Sequence, residues 1–387
     1  MSMMKNKIFT LVFTIVLVSC TSTLVLNESP QNQLDCVQPE NVQEAPILHG
    51  IIADFDEDNN QIELWNSNDN TTLLLGRVEI LSGAISNQNQ LAYIDADTRE
   101  VKILSPQGKT LSTFSASKNW VELIDWTNNQ QLLISSMPFR PDGSWYPPSS
   151  TIALNVDSGE YTELSPSYPN IYAYTSGPPD FGVYSYSLTA YDPVLTKVVY
   201  PAQTTDNFYL SLWDIPNEQE VARFQTSYSF GEVKWKGDGE VFVVSLPPTY
   251  NNKSGDISYV GGNELFLVGK DGEIRRLTYL TEKNVVNEYS LSWSPDKAKI
   301  AFWLKSETDT HKWQLAILNT KTGELASYCI DGEGSLPIIW SSDSNQLMST
   351  FSNEEYTNHQ FLLIDIQEKN SEMWSSNGKV VIGWFDE

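Results

Sequence analysis

Short apolar runs separated by polar turns recur along the whole chain, and the clearest example lies at residues 291–304, LSWSPDKAKIAFWL. Its pattern predicts a strand ending at Trp293, a Ser-Pro-Asp turn, and a second strand through Ile300, Ala301, Phe302 and Trp303. Pro295 fixes φ for the turn and Asp296 has a side chain able to bond the backbone two residues on, while the flanks carry the aromatic and β-branched residues that suit a pleated surface. The same order of an anchor, a polar turn and an apolar run starts at Ile85, Trp126, Tyr191, Trp235 and Trp340, and a half copy ends at Trp384. Four of the six anchor spacings fall near the ~40–45 residues of a four-stranded propeller blade, and the two long ones require insertions.

Each copy continues with a second hairpin. Val101–Leu104, Ala153–Val156, Leu265–Val268 and Leu315–Leu318 are each followed by a polar turn that contains a glycine, which supplies positive φ without steric cost. Four strands per unit follow. The run from Leu291 to Trp303 resembles the W-S-P-D-G-x-x-I-A-F core of TolB-type, WD-repeat-like β-propellers, with Ala298 near the place where that family carries glycine. The resemblance covers residues 47–385 and implies an all-β, seven-bladed β-propeller. Residues 47–55, 61–66 and 72–78 supply three strands that lack an inner partner, and residues 380–384 supply an inner strand that lacks a blade. Pairing them closes the ring and removes the open sheet edges.

Strand order then assigns the insertions to a face. With strands a to d numbered outward, a–b and c–d turns share one face of the ring, and b–c loops and d–a links share the other. The long segments at 137–150 (b–c, blade three), 165–185 (link, blades three to four) and 247–263 (b–c, blade five) all belong to the second face. They carry Phe139, Arg140, Trp145, Tyr146, Tyr172, Tyr174, Tyr184, Tyr250 and Tyr259, with Tyr168 and Phe181 beside them. Large rigid rings with polar tips suit a protein interface, they also stack on sugar faces, and they equally pack on one another to hold long loops. That face is the candidate binding surface.

The N-terminus adds an address. Lys5 and Lys7 precede an apolar run from Ile8 to Val18 that is too short for a stable span and reads as a secretory signal. Its end, Leu17-Val18-Ser19-Cys20, resembles the lipobox of bacterial lipoproteins, which implies acylation of Cys20 and an extracytoplasmic, lipid-anchored protein of the cell or outer membrane. Residues 21–46, rich in Asn, Gln, Ser, Glu and Pro, read as a flexible tether between residues 1–19, the leader, and a single propeller domain at 47–387. Cys36 and Cys329 remain as an even pair. A disulfide would tie the tether to blade six, but nothing in the spacing brings the two together, so unpaired thiols are the expectation.

A formal net charge of −25 leaves no basic footprint for nucleic acid and disfavours anionic lipid surfaces. Three smaller constellations carry candidate chemistry. Asp54, Asp56 and Asp58 alternate as the oxygen ligands of a Ca²⁺ loop would, but the glycine and glutamate of an EF-hand are missing, and a solvated hairpin tip is the expectation. His311 and His359, with Asp309, Glu354 or Glu355, have the residue types of a transition-metal site on the loop face, with polar loop tips as the commoner reading; His49 reads as a strand-start residue. No G-x-S-x-G elbow occurs, the chain has only 3 histidines, and no hydrolase domain of the prolyl-oligopeptidase kind is expected beyond the closing strand. The sequence therefore points to a protein-binding module without a cofactor. A carbohydrate-binding protein or glycan lyase or hydrolase at the axial mouth is the alternative.

Overall fold

The computed structural model describes residues 34–386, except 47, 88, 118–119, 128–129, 137–149, 165–188, 204–207, 227–231, 248–261, 284, 288–289, 307–311, 335 and 353–357. The described chain is an all-β propeller of seven blades, each built on four antiparallel strands in sequential order from the inside outward. Blade two, Ala84–Ser86, Leu91–Asp95, Glu100–Leu104 and Thr110–Ser115, shows the plain form. Blade six departs from it because its inner strand is broken into Val285–Asn287 and Ser292–Trp293, both paired with Lys299–Ser306.

The middle strands are apolar on both faces because both faces are buried. In Lys299–Ser306, Ile300, Phe302 and Leu304 pack toward blade five while Ala301 and Trp303 pack toward blade seven. The same rule gives seven apolar clusters among the described residues, one at each contact between neighbouring blades. Removing apolar surface from water is the main favourable contribution, at roughly 25 cal/mol per Å².

The anchors seen in the sequence have a second task. The indole N–H of Trp126 donates to Ile85 O (3.5 Å), that of Trp235 to Ala190 O (3.0 Å), that of Trp293 to Lys234 O (3.2 Å), and that of Trp340 to Ser292 O (3.3 Å). Each bond runs from the inner strand of one blade to the inner strand of the blade before it. Blade two has no tryptophan there, and the Ser86 hydroxyl donates instead to Ile382 O of blade one (2.5 Å).

The turn after each anchor is built by its own side chains. In blade six the Ser294 hydroxyl donates to Asp296 Oδ1 (2.5 Å) and accepts from Lys299 N (2.9 Å), while Asp296 Oδ1 accepts from Ala298 N (3.0 Å). Blade seven repeats the arrangement with Ser341, Asp343, Asn345 and Gln346. The left-handed position is Lys297 (φ 59°), one residue before Ala298, and Gly239 (φ 72°) fills it in blade five.

Closure is as the sequence predicts. Lys379–Phe385 is the inner strand of blade one, beside Ile51–Asp56, then Gln61–Asn66 and Thr71–Arg77. The register pairs Ile51 with Phe385 and Asp56 with Lys379. Gly50 (φ 127°) sits where the two termini approach, and a Cβ there would come within 2.3 Å of Phe385 O.

Two expectations for the N-terminal segment are corrected. From Leu34 onward it is not a free tether. Leu34 is buried in the cluster between blades five and six, Val37 N donates to Ser327 O (2.9 Å), and Cys329 N donates to Val37 O (2.8 Å). Glu40–Asn41 then adds in parallel to the outer strand of blade seven, opposite Glu372 and Met373. The segment is a strap across the outer edges of blades six and seven, and backbone bonding overrides its polar composition. Second, Cys36 and Cys329 form a disulfide, with Cα atoms 5.3 Å apart, across a separation of 293 residues.

Replacing Cys36 by Ser is expected to lower stability by roughly 2–4 kcal/mol and to raise amide exchange across residues 34–42 while the blades stay protected. Denaturant unfolding with peptide-resolved exchange measures both, and unchanged exchange in the strap would contradict the assignment.

Candidate functional sites

Of the sequence-predicted surface, Phe139, Arg140, Trp145, Tyr146, Tyr172, Tyr174, Tyr184, Tyr250 and Tyr259 lie outside the described residues, as do Cys20, Asp309, His311, Glu354 and Glu355. The strands that flank the three long segments are described. Gln131–Ser136 leads out and Ser150–Asn155 leads back in blade three, and Val241–Leu246 and Glu264–Gly269 do so in blade five. Tyr161–Leu164 and Ala190–Tyr191 flank the link between blades three and four. Antiparallel pairing throughout these blades places all three exits and re-entries on the face of the b–c connections.

On the same face, the structure separates the three alternating aspartates. Asp56 accepts from Asn59 N (3.0 Å) and Asn59 Nδ2 (2.9 Å), closing its own hairpin tip. Asp58 lies toward Gly378. Asp54 is buried at 3 % exposure in the sheet of blade one. His359 pairs with Glu57, Nε2 to Oε2 2.9 Å, and with Ser352, Nδ1 to Oγ 3.2 Å, linking blade seven to the hairpin tip of blade one. Among the described residues there is no group of three or more His, Cys, Asp or Glu side chains placed to hold a metal ion. His49 precedes the first blade strand, and its carbonyl accepts from the Trp384 indole (3.1 Å).

Asp54 belongs to a charged group at the ring closure. Lys379, on the closing strand, is ion-paired with Glu63 and stands 3.6 Å from Asp54 Oδ1, which has no hydrogen-bond partner. Burial pushes the Asp54 carboxyl up to about 7, with Lys379 pulling the other way and Glu63 adding to the rise. Lys379 itself is held above the ordinary lysine range because, although burial opposes the charge, Glu63 and Asp54 favour it.

A second charged group, which the sequence reading missed, lies where the inner strands end on the opposite, turn face. Lys234 of blade five extends past blade four to Asp125 of blade three, Nζ to Oδ2 2.8 Å. Lys236 meets Asp238 at 3.0 Å within the adjoining turn. Lys297, from the turn of blade six, lies over Gly237, its Nζ 3.3 Å from where a Cβ on that glycine would stand. Glu232 accepts from Leu291 N (2.6 Å). Burial raises the Glu232 carboxyl against the attraction of Lys234. For Lys234, burial disfavours the charge, but Asp125 and Glu232 more than offset it and hold the amine above its ordinary range. Burial pulls the Lys297 amine below that range; Asp125 and Asp238 oppose the shift, and Lys234 and Lys236 add to it. No local motif announces this group, since its members come from three blades and the closest ion pair joins residues 109 apart in sequence.

No protein-family model matches the chain, and no curated protein matches it. Among solved structures the chain is similar to hydrazine synthase from Kuenenia stuttgartiensis, with TM-score 0.50 and 12% identity over 85% of this chain and 96% of that one. It is also similar to TolB from Acinetobacter baumannii, with TM-score 0.47 and 14% identity over 84% of this chain and 79% of that one. Oligogalacturonate lyase from Vibrio parahaemolyticus gives TM-score 0.48 and 10% identity over 86% of each chain. At such identities the likeness concerns the propeller fold alone.

The Asp54 group generates a pH prediction. Between about pH 4 and pH 7 the unfolded chain releases this proton while the folded chain keeps it, so the folded state loses stability as pH rises through that window; below it both states are protonated. Asp54→Asn removes the loss. Its stability relative to the parent chain is expected to improve by roughly 1–3 kcal/mol between pH 4.5 and pH 8. Denaturant titrations at both pH values measure the difference, and a gap independent of pH would contradict the reading.

Proposed function

We propose that this protein is a lipid-anchored, extracytoplasmic binding module that engages a protein of the cell envelope or its surroundings through the face of the b–c connections. The observation that supports the proposal is that the strands flanking the three long segments all open onto that one face, together with the segments' content of Trp, Tyr, Phe, Pro and Gly. A rigid ring that presents aromatic-rich segments from several blades suits recognition, because rings bury large area at low entropic cost. Anchoring rests on the resemblance of Leu17-Val18-Ser19-Cys20 to a lipobox. Acyl chains on Cys20 would hold the protein at a bilayer, and residues 21–33 would join them to the strap. The net charge of −25 suits a body held off an anionic lipid surface.

The test is crosslinking in intact cells followed by capture and mass spectrometry, with Trp145→Ala, Tyr146→Ala and Tyr172→Ala combined as the control. One protein is expected to be recovered with the parent chain and lost with the triple variant. Recovery that ignores the substitutions would contradict the use of this face. For the anchor, Cys20→Ser is expected to release the protein from the membrane fraction.

A further inference from the structure

We propose that residues 34–46 form a redox latch. Reduction of the Cys36–Cys329 disulfide by a dithiol releases the strap and uncovers the outer edges of blades six and seven, while the ring stays closed. The argument begins with how little else holds the segment. Leu34 is buried, but every residue from Asp35 to Pro46 is exposed or half-buried. Val37 exchanges backbone bonds with Ser327 and Cys329, the Ser327 hydroxyl donates to Asp35 O (3.0 Å), and Val42 N donates to Met373 O (3.0 Å). Between them lies only the two-residue parallel pairing of Glu40–Asn41, which sets Glu40 directly opposite Glu372. Like charges facing one another across a ladder oppose the pairing. The charged residues of the segment are Asp35, Glu40 and Glu44, and none makes an ion pair among the described residues.

The disulfide is placed to decide whether the strap stays. Neither cysteine is buried, and access is one of the factors that govern attack by a thiolate. The ring is closed elsewhere, by Lys379–Phe385 against Ile51–Asp56. Breaking the disulfide therefore takes nothing from the four strands of any blade. What it frees is an added layer along the edges of Leu325–Asp331 and Asn370–Ser375.

The reduced form also gains a bond that the oxidised form lacks. Gln314 stands opposite Cys329 in the register of blade six, and its buried Oε1 has no hydrogen-bond partner. Because Cys329 N donates outward to Val37 O (2.8 Å), the two residues form the non-hydrogen-bonded kind of pair, in which side chains lie closest. An orphaned buried acceptor is costly. A Cys329 thiol brings an S–H to it, whereas a disulfide sulfur has no proton to give. The step is thiol–disulfide exchange: one thiolate of the dithiol attacks a sulfur, and the S–S bond breaks through a mixed disulfide. The second thiol then closes the reductant's own disulfide, so that two electrons and two protons pass to Cys36 and Cys329.

The test equilibrates the full-length protein, in detergent, in buffers of reduced and oxidised dithiothreitol, counts free thiols by alkylation, and follows peptide-resolved amide exchange. Exchange across residues 34–42 is expected to rise tenfold or more in step with the reduced fraction and to fall back on reoxidation, while the inner and middle strands of all blades stay protected. A disulfide that resists reduction in the folded protein overturns the proposal. So does strap protection that survives full reduction, loss of protection in the blades together with the strap, or failure to recover on reoxidation. Cleavage after Glu40 by a glutamyl endopeptidase is a second reading, expected to be tenfold or more faster in the reduced form; equal rates overturn the latch. Gln314→Leu removes the orphaned acceptor, and half-reduction is then expected to need a severalfold higher ratio of reduced to oxidised dithiothreitol. An unchanged ratio overturns the part assigned to Gln314.

Discussion

The bond from an inner-strand side chain to the backbone of the preceding blade is the interaction on which the rest of this ring depends. Apart from the connecting chain and the disulfide of the N-terminal strap, the blades meet through apolar packing, which is non-directional. The indoles of Trp126, Trp235, Trp293 and Trp340 supply the direction, each fixing one inner strand against its neighbour by a single donor. The ring also buries the large faces of these residues, so one side chain contributes both area and register. In blade two the Ser86 hydroxyl supplies the same kind of donor without an aromatic ring.

The closure of the ring and the N-terminal strap follow from the same physics at the sheet edges. The closing strand turns an incomplete blade one into a full sheet. The strap then covers the outer edges of blades six and seven, and the disulfide fixes it there. At its start the strap is held by Leu34, which is buried between blades five and six. Closure has a local cost: packing the last strand buries Asp54 beside an ion pair that already satisfies Lys379.

The architecture was legible because it repeats. Anchors at 85, 126, 191, 235, 293, 340 and 384 mark the inner strands, and residues 47–55 and 380–384 each lack what the other supplies. The strap was not legible, since a two-residue parallel pairing leaves no periodic signal and its polar composition is that of a linker. The disulfide was missed for the same reason, its partner standing 293 residues away. The lysine group at the mouth has no motif either: Asp125, Lys234 and Lys297 are each ordinary in their own turn or strand, and only the ring brings them together. Asp54 read as part of an exposed acidic tip because strand Ile51–Asp56 runs further toward that tip than the alternating carboxylates suggest.

Both faces of the ring thus depend on the stitched inner strands, one as the base for the long segments and the other as the frame of the charged mouth. The most direct test is Trp293→Phe, which keeps an aromatic ring and removes the donor to Lys234 O. If the indole bond couples the blades, stability falls by roughly 1–3 kcal/mol, and amide exchange rises in the inner strands of both blade five and blade six. A change confined to blade six, with Val233–Trp235 protected as before, would contradict the account.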